Sequence, residues 1–184
     1  VESFREHVAS LGLDMPCDDE ILKAPESPFA QTSDCQGFTI GNRFCIHPME
    51  GWDAEDDGNP SGNTLRRWHN FGLSGAKLIW GGEAVAVRPE GRANPNQLYA
   101  AEHTKAGLGK LRDTLFNAHR EHIGDTDDLL VGLQLTHSGR FCRPTDKSKL
   151  EPRIVYRHPI LDHKFGIDSD DLILSDGEIK SLIE

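Results

Sequence analysis

The sequence lacks the features that would place the protein in a membrane or on a nucleic acid. No window approaches the roughly 18 consecutive apolar residues that a membrane span needs, and the first residues have neither the basic start nor the apolar core of a signal peptide. Acidic side chains outnumber basic ones by 30 to 20, and the formal net charge is −10. Because nucleic acids and anionic membranes attract positively charged proteins, we expect a soluble, cytoplasmic protein that binds a small-molecule substrate and neither of those partners.

Cysteine is also scarce. The four cysteines form no CxxC pair and show no Cys/His spacing typical of zinc or of an iron–sulfur cluster, so we expect four reduced thiols. Hydrophobic side chains make up 36% of the sequence, and with the 18 glycines this is ordinary for a globular protein. The length of 184 residues suits one domain or slightly more.

Residues 1–36 are predicted to form an N-terminal extension beside a main domain over residues 37–184. The extension begins with the short amphipathic run FREHVASLGL and then becomes rich in Pro, Asp and Ser without a sustained period. The next run, FTIGNRFCIHPME, predicts two short β segments separated by Gly41 and Asn42. We interpret them as a hairpin-like entry into a first core strand over residues 44–47.

The main domain alternates between strands and helices. Two nearly continuous apolar runs, over residues 76–87 and 129–137, are typical of strands buried on both faces of a parallel sheet. A helix is predicted before each run, over residues 63–73 with Ser61 as its cap and over residues 107–122. The resulting order of strand, helix, strand, helix and strand is the local pattern of a parallel α/β fold.

Residues 138–174 show no lasting period, which is typical of a lid or binding segment. The following run, LSDGEIKSLIE, predicts a last helix that begins with a capping box formed by Ser175 and Glu178.

The residues near the end of each predicted strand are the candidates for a site, because α/β folds bind their ligands there. They are His47, Pro48, Met49, Glu50 and Trp52 near the first strand, Glu83 and Ala84 near the second, and Gln134, His137, Gly139 and Arg140 near the third. We expect the three strand ends to bring them together.

Four segments carry a resemblance to a known family: GNRFCIHPME, LRRWHNFGLSGAKLIWGGEAVAVRPEGRA, LLVGLQLTHSGR and LSDGEIKSLIE. In this order and spacing they resemble the Old Yellow Enzyme family of FMN-dependent oxidoreductases, also called the NADH:flavin oxidoreductase family. The resemblance covers most of the chain from about residue 41. It implies a (β/α)8 TIM barrel with FMN across its C-terminal mouth, of which this chain would hold about three βα units and would be incomplete as given. It further implies NAD(P)H as the electron donor and hydride transfer from reduced flavin to an activated alkene or a related acceptor.

The resemblance also assigns flavin-binding residues. Gln134 corresponds to the glutamine that binds the flavin pyrimidine edge, for which an amide suits because it has both a donor and an acceptor. Pro48 and Met49 correspond to residues whose backbone runs beside the isoalloxazine ring, and Ala84 to the small residue near its N5 and O4 edge. The alternatives are an ordinary barrel-interior amide for Gln134, a core filler for Met49 and a tight strand contact for Ala84.

This sequence departs from the family pattern directly after Pro48 and Met49, where Glu50 replaces a Thr, Ser or Cys and Trp52 replaces a Tyr. An ionised Glu50 beside N5 and O4 would disfavour the electron-rich reduced flavin, so we include it among the flavin-contacting residues as a group that lowers the reduction potential. His137 and Arg140 form the family's H-x-G-R turn, and we favour a role in shaping the turn and lid over direct chemistry.

Two other functions remain open at this stage. A metal-dependent hydrolase barrel would use His47, Glu50, Glu83 and His137 as ligands of a divalent ion. A truncated, non-catalytic fragment would need a missing half, because the family's substrate-binding pair, its ring-contacting arginine and its phosphate-binding loops lie beyond Glu184. The acceptor, the proton donor and the oligomeric state therefore stay undetermined.

Overall fold

The computed structural model describes residues 1–183 as an α/β fold with five α-helices. The helices are α1 (Glu2–Ser10), α2 (Gly62–Leu73), α3 (Lys105–His122), α4 (Pro159–Phe165) and α5 (Asp176–Ile183). No helix within residues 1–183 combines the length and the apolar content needed to cross a membrane. The predicted helices over residues 63–73 and 107–122 are confirmed to within two residues by α2 and α3.

Seven short strands form three separate sheets. The strands are β1 (Ser33–Cys35), β2 (Phe38–Ile40), β3 (Cys45–Ile46), β4 (Leu78–Ile79), β5 (Ala84–Ala86), β6 (Leu130–Val131) and β7 (Gln134–Thr136). One sheet is parallel with the order β3-β4-β6, a second consists of the parallel pair β5-β7, and the third is the antiparallel pair β1-β2. The parallel α/β class is therefore as predicted, but no closed sheet exists within the described residues.

Each long apolar run was predicted as one strand, and this prediction is wrong in the same way for both runs. Residues 76–87 form β4 and β5, and residues 129–137 form β6 and β7. Gly81 lies between β4 and β5 with a φ of +61°, a left-handed conformation that interrupts a strand. The two breaks coincide, so that β4 pairs with β6 before them and β5 pairs with β7 after them.

The hairpin lies earlier in the chain than the sequence suggested. β2 pairs with β1, which belongs to the predicted extension, and not with the core strand β3. The turn between β1 and β2 consists of Gln36 and Gly37, both with positive φ, as a two-residue hairpin turn requires. Gly41 and Asn42 instead connect the hairpin to β3. The Asn42 side chain donates to the carbonyl of Gly75, 2.9 Å away, and so ties this connection to the end of α2.

The core lies between the parallel strands and the helices α2 and α3. Trp68 from α2, Leu111 and Leu115 from α3, and Ile79 and Val85 from β4 and β5 are almost completely buried in it. Burial of this apolar surface is the main stabilising contribution, at roughly 25 cal/mol per Å².

The N-terminus of α2 is fixed by a capping box. The Ser61 hydroxyl accepts from the backbone N–H of Thr64, and the Thr64 hydroxyl accepts from the N–H of Ser61. The Ser61 hydroxyl also donates to the carbonyl of Asp53, so the loop that follows β3 is attached to the start of α2.

Residues 138–174 consist mostly of loop with the short helix α4, and a buried ion pair holds them in place. Arg140 Nε donates to Asp162 Oδ1 over 2.9 Å, and both side chains are less than 10% exposed. Arg157 Nε donates to the other oxygen of Asp162 over 2.8 Å. The predicted capping box of α5 is confirmed, since Ser175 and Glu178 each bond the other's backbone N–H.

Candidate functional site

The parallel strands bring four of the predicted flavin-binding residues to one edge of the fold. Pro48 and Met49 follow β3, Ala84 follows β4 as the first residue of β5, and Gln134 follows β6 as the first residue of β7. We call these four residues the shelf.

Backbone contacts connect the parts of the shelf. The N–H of Ala84 donates to the carbonyl of Met49 over 3.3 Å, and Ala84 lies opposite Gln134 in the parallel register of β5 and β7. Pro48 and Gln134 meet over Gly81: a methyl group built on that glycine would lie 3.1 Å from Pro48 Cβ and 3.0 Å from Gln134 Cβ. The four residues of the shelf are therefore adjacent in space.

The shelf combines a small buried residue with exposed neighbours. Ala84 is only 3% exposed, whereas Met49 is 71% exposed and Gln134 is also exposed. Within residues 1–183, the side-chain amide of Gln134 makes no hydrogen bond to another residue. Its donor and its acceptor are therefore both available to a ligand. These side chains fit a flat ring that offers alternating donors and acceptors along one edge, as the flavin of FMN does.

Glu50 follows the shelf and contacts Trp52, the other residue that departs from the family pattern. Its Oε2 accepts from the indole Nε1–H of Trp52 over 3.0 Å. Trp52 has a φ of +50°, a conformation that is unusual for a large side chain. The proposed effect of Glu50 on the flavin stays a prediction.

Glu83 is a buried carboxylate that lies between the strand end and the loop after β3, and it makes one hydrogen bond and one ion pair. Its Oε1 accepts from the N–H of Gly51 over 2.8 Å, and its Oε2 lies 2.6 Å from Nη2 of Arg67. Burial raises the pKa of Glu83 above its ordinary value, although the hydrogen bond from Gly51 and the charge of Arg67 counteract that rise. No motif in the sequence singles out Arg67, which is next to the exposed Arg66 on α2.

His137 and Arg140 make their contacts within residues 138–174 and with Gly91. The Nδ1 of His137 accepts from the N–H of Gly139 over 3.1 Å, and its ring packs where Gly91 has no side chain. Burial lowers the pKa of His137. Arg140 is held by Asp162, and it also donates to the carbonyl of Tyr156 over 2.8 Å.

The geometry does not support the metal-hydrolase alternative. Within residues 1–183, no three His, Cys, Asp or Glu side chains are placed to hold a metal ion together. Of the four suggested ligands His47, Glu50, Glu83 and His137, the carboxylate of Glu83 is bound to Arg67 and Gly51, and that of Glu50 to Trp52.

Comparison with known proteins supports the fold. No protein-family model and no curated protein matches the chain. Among solved structures, the Old Yellow Enzyme from Trypanosoma cruzi is similar over 85% of this chain and 44% of its own, with 18% identity and a TM-score of 0.55. The Old Yellow Enzyme from Pichia sp. AKU4542 matches 64% of this chain and 28% of its own, with 14% identity and a TM-score of 0.51.

A third similar structure is 2-naphthoyl-CoA reductase in complex with 2-naphthoyl-CoA, which matches 76% of this chain and 17% of its own, with 15% identity and a TM-score of 0.51. The chain thus spans less than half the length of each of these proteins. Its fold is that of one part of the Old Yellow Enzyme-type TIM-barrel proteins.

Proposed function

We propose that this chain is part of an FMN-dependent NAD(P)H oxidoreductase of the Old Yellow Enzyme type. The observation that supports this most strongly is the shelf, in which Pro48, Met49, Ala84 and Gln134 meet at the carboxyl ends of neighbouring parallel strands. The fold similarity points in the same direction, because TIM barrels place their active sites at this end of the strands.

Each shelf residue has a separate task in this proposal. The amide of Gln134 binds the pyrimidine edge of the isoalloxazine ring with one donor and one acceptor. Ala84 leaves room for the ring because its side chain ends at Cβ. Pro48 and Met49 line the side of the ring, and the exposed Met49 side chain excludes water from it.

FMN, when bound, accepts hydride from NAD(P)H and supplies it to an acceptor. We propose an activated alkene, or a related electron-poor small molecule, as that acceptor. The contribution of the chain is to bind and orient the ring at the strand ends, and Glu50 adds negative charge beside the shelf.

The experiment that tests this proposal is FMN titration of the Gln134→Leu variant. Gln134 is exposed and makes no internal side-chain bond within the described residues, so its replacement leaves the fold intact. Loss of two hydrogen bonds worth about 0.5–1.5 kcal/mol each weakens FMN binding by about 5- to 150-fold.

Gln31→Leu serves as the control, because Gln31 is an exposed glutamine that precedes β1 and bonds only to backbone carbonyls there. Its FMN affinity should stay within about twofold of that of the unaltered protein. Equal affinities for the Gln134 and Gln31 variants would remove Gln134 from the flavin site, and absence of FMN binding by the unaltered protein would refute the proposal itself.

A further inference from the structure

A network of one buried and two partly buried charges lies beside the shelf and connects it to α2. Glu83 is 1% exposed and binds Arg67 through Oε2, as described above. Arg67 in turn donates through Nη2 to Asp53 Oδ1 over 2.7 Å and through Nε to Asp53 Oδ2 over 3.2 Å. One guanidinium therefore contacts Asp53, which lies in the loop that follows β3, and Glu83, which lies before β5.

Asp53 attaches this network to the start of α2. Its Oδ1 accepts from the hydroxyl of Thr64 over 3.0 Å, and Thr64 belongs to the capping box of that helix. Because Arg67 lies one turn further along α2, the helix holds the guanidinium in place through its own backbone. The network is thus anchored to a regular element of the core.

Glu83 connects the loop after Met49 with two shelf residues, Ala84 and Gln134. Its side chain accepts from the N–H of Gly51, two residues after Met49, and its carbonyl accepts from the N–H of Gln134 over 3.2 Å. Ala84 is its neighbour in the chain. A single residue therefore joins the loop after β3, the start of β5 and the start of β7.

The lack of a side chain at Gly51 lets the backbone pack against Arg67. A methyl group built on Gly51 would lie 2.0 Å from Arg67 Nη2, so the backbone approaches the guanidinium more closely than any side chain permits. The ion pair of Glu83 and Arg67 and the glycine backbone are packed against one another, and movement of one displaces the others.

We propose that Glu83 and Arg67 are positioning residues that set the distance between Pro48 and Met49 on one side of the flavin and Gln134 on the other. This inference rests on the proposed function for its ligand. Small displacements matter at such a site, since binding groups must be held within about 0.5 Å of the productive geometry by the residues behind them.

The two contacts of the Glu83 side chain explain why a carboxylate is needed at this position. Glu83 accepts a hydrogen bond from the N–H of Gly51 and forms an ion pair with the guanidinium of Arg67. A carboxamide of the same size still has an oxygen for the N–H of Gly51, but it has no charge to pair with Arg67. The Glu83→Gln variant therefore keeps the volume of the side chain and loses the ion pair.

The test compares two variants of the full-length protein. Glu83→Gln changes the proposed positioning residue, and Glu55→Gln is the control, because Glu55 is an exposed glutamate in the same loop as Gly51. The first measurement is hydrogen exchange of the Gly51 amide without FMN. We expect exchange about tenfold faster in Glu83→Gln than in the control, because the neutral amide oxygen of Gln is a weaker acceptor for the N–H of Gly51 than a carboxylate oxygen and because the ion pair that holds this segment is lost. The second measurement is FMN titration, in which we expect the Kd of Glu83→Gln to rise about tenfold.

Arg67→Met, with Arg66→Met as its control, tests the other half of the pair by the same two measurements. Arg66 is the exposed neighbour of Arg67 on α2. The inference is refuted if the Gly51 amide exchanges at the same rate in Glu83→Gln and Glu55→Gln, or if FMN binds both variants equally well. If the unaltered protein binds no FMN, the proposed function fails, whereas the exchange rates still report whether the pair holds Gly51.

Discussion

Replacement of Gly81 by alanine tests the close approach that holds the shelf together. The new methyl group would lie 2.8 Å from the backbone nitrogen of Gln134 and 3.1 Å from Pro48 Cβ, distances shorter than normal packing. Overpacking of this kind costs about 1–3 kcal/mol, because β7 and the segment after β3 must move apart. The left-handed backbone of Gly81 adds about 1–2 kcal/mol for a residue with a Cβ. We therefore expect the free energy of unfolding to fall by about 2–5 kcal/mol.

Gly166→Ala separates these two effects. Gly166 has a φ of +65°, close to the +61° of Gly81, but a methyl group there would have no atom within 4 Å. It should cost only the backbone part, about 1–2 kcal/mol. Urea unfolding followed by tryptophan fluorescence measures both variants, because the buried Trp68 becomes exposed to water on unfolding. If they differ by less than about 0.5 kcal/mol, Gln134 and Pro48 do not crowd Gly81 and the geometry of the shelf is wrong.

Three further predictions follow from titratable groups. Burial lowers the pKa of His119 from 6.5, so the unfolded chain binds a proton more readily than the folded protein, and stability should be lost as the pH falls below 6.5. Chemical unfolding between pH 5 and 8 should show this slope, and His119→Asn, which keeps a donor to the carbonyl of Gly72, should flatten it. Burial raises the pKa of the Cys142 thiol to about 11, so iodoacetamide at pH 8 should label the exposed Cys35 first and Cys142 only after unfolding, and equal rates would contradict the burial. Glu50→Gln should raise the flavin reduction potential, which potentiometry of the FMN-loaded protein would measure, and an unchanged potential would discard that role.

The helices and the parallel arrangement could be predicted because they depend on local patterns. Ser61 caps α2 as expected. Trp68, Leu111 and Leu115 follow the period of a helix, and the structure places them in the core as expected. Pro48 was expected directly after a strand and does follow β3, whereas Gln134, expected near the end of a strand, is the first residue of β7.

The breaks within the strands and the network beside the shelf could not be predicted in the same way. Gly81 and Gly82 in the first run and Gly132 in the second mark positions where a strand can break, but glycine also occurs within strands, so the sequence alone did not decide between the two. Arg67 and Glu83 are 16 positions apart, and only the packing of α2 on the sheet brings them within 2.6 Å. Such contacts depend on tertiary structure, whereas Arg66 and Arg67 are indistinguishable in the sequence.

The visible absorption spectrum of the purified full-length protein tests the central claim most directly, because flavin absorbs where the protein does not. The account predicts flavin bands that elute with the protein on gel filtration, disappear on anaerobic addition of NADH or NADPH, and weaken in the Gln134→Leu variant. A colourless protein that takes up no FMN when it is added in excess would contradict the account.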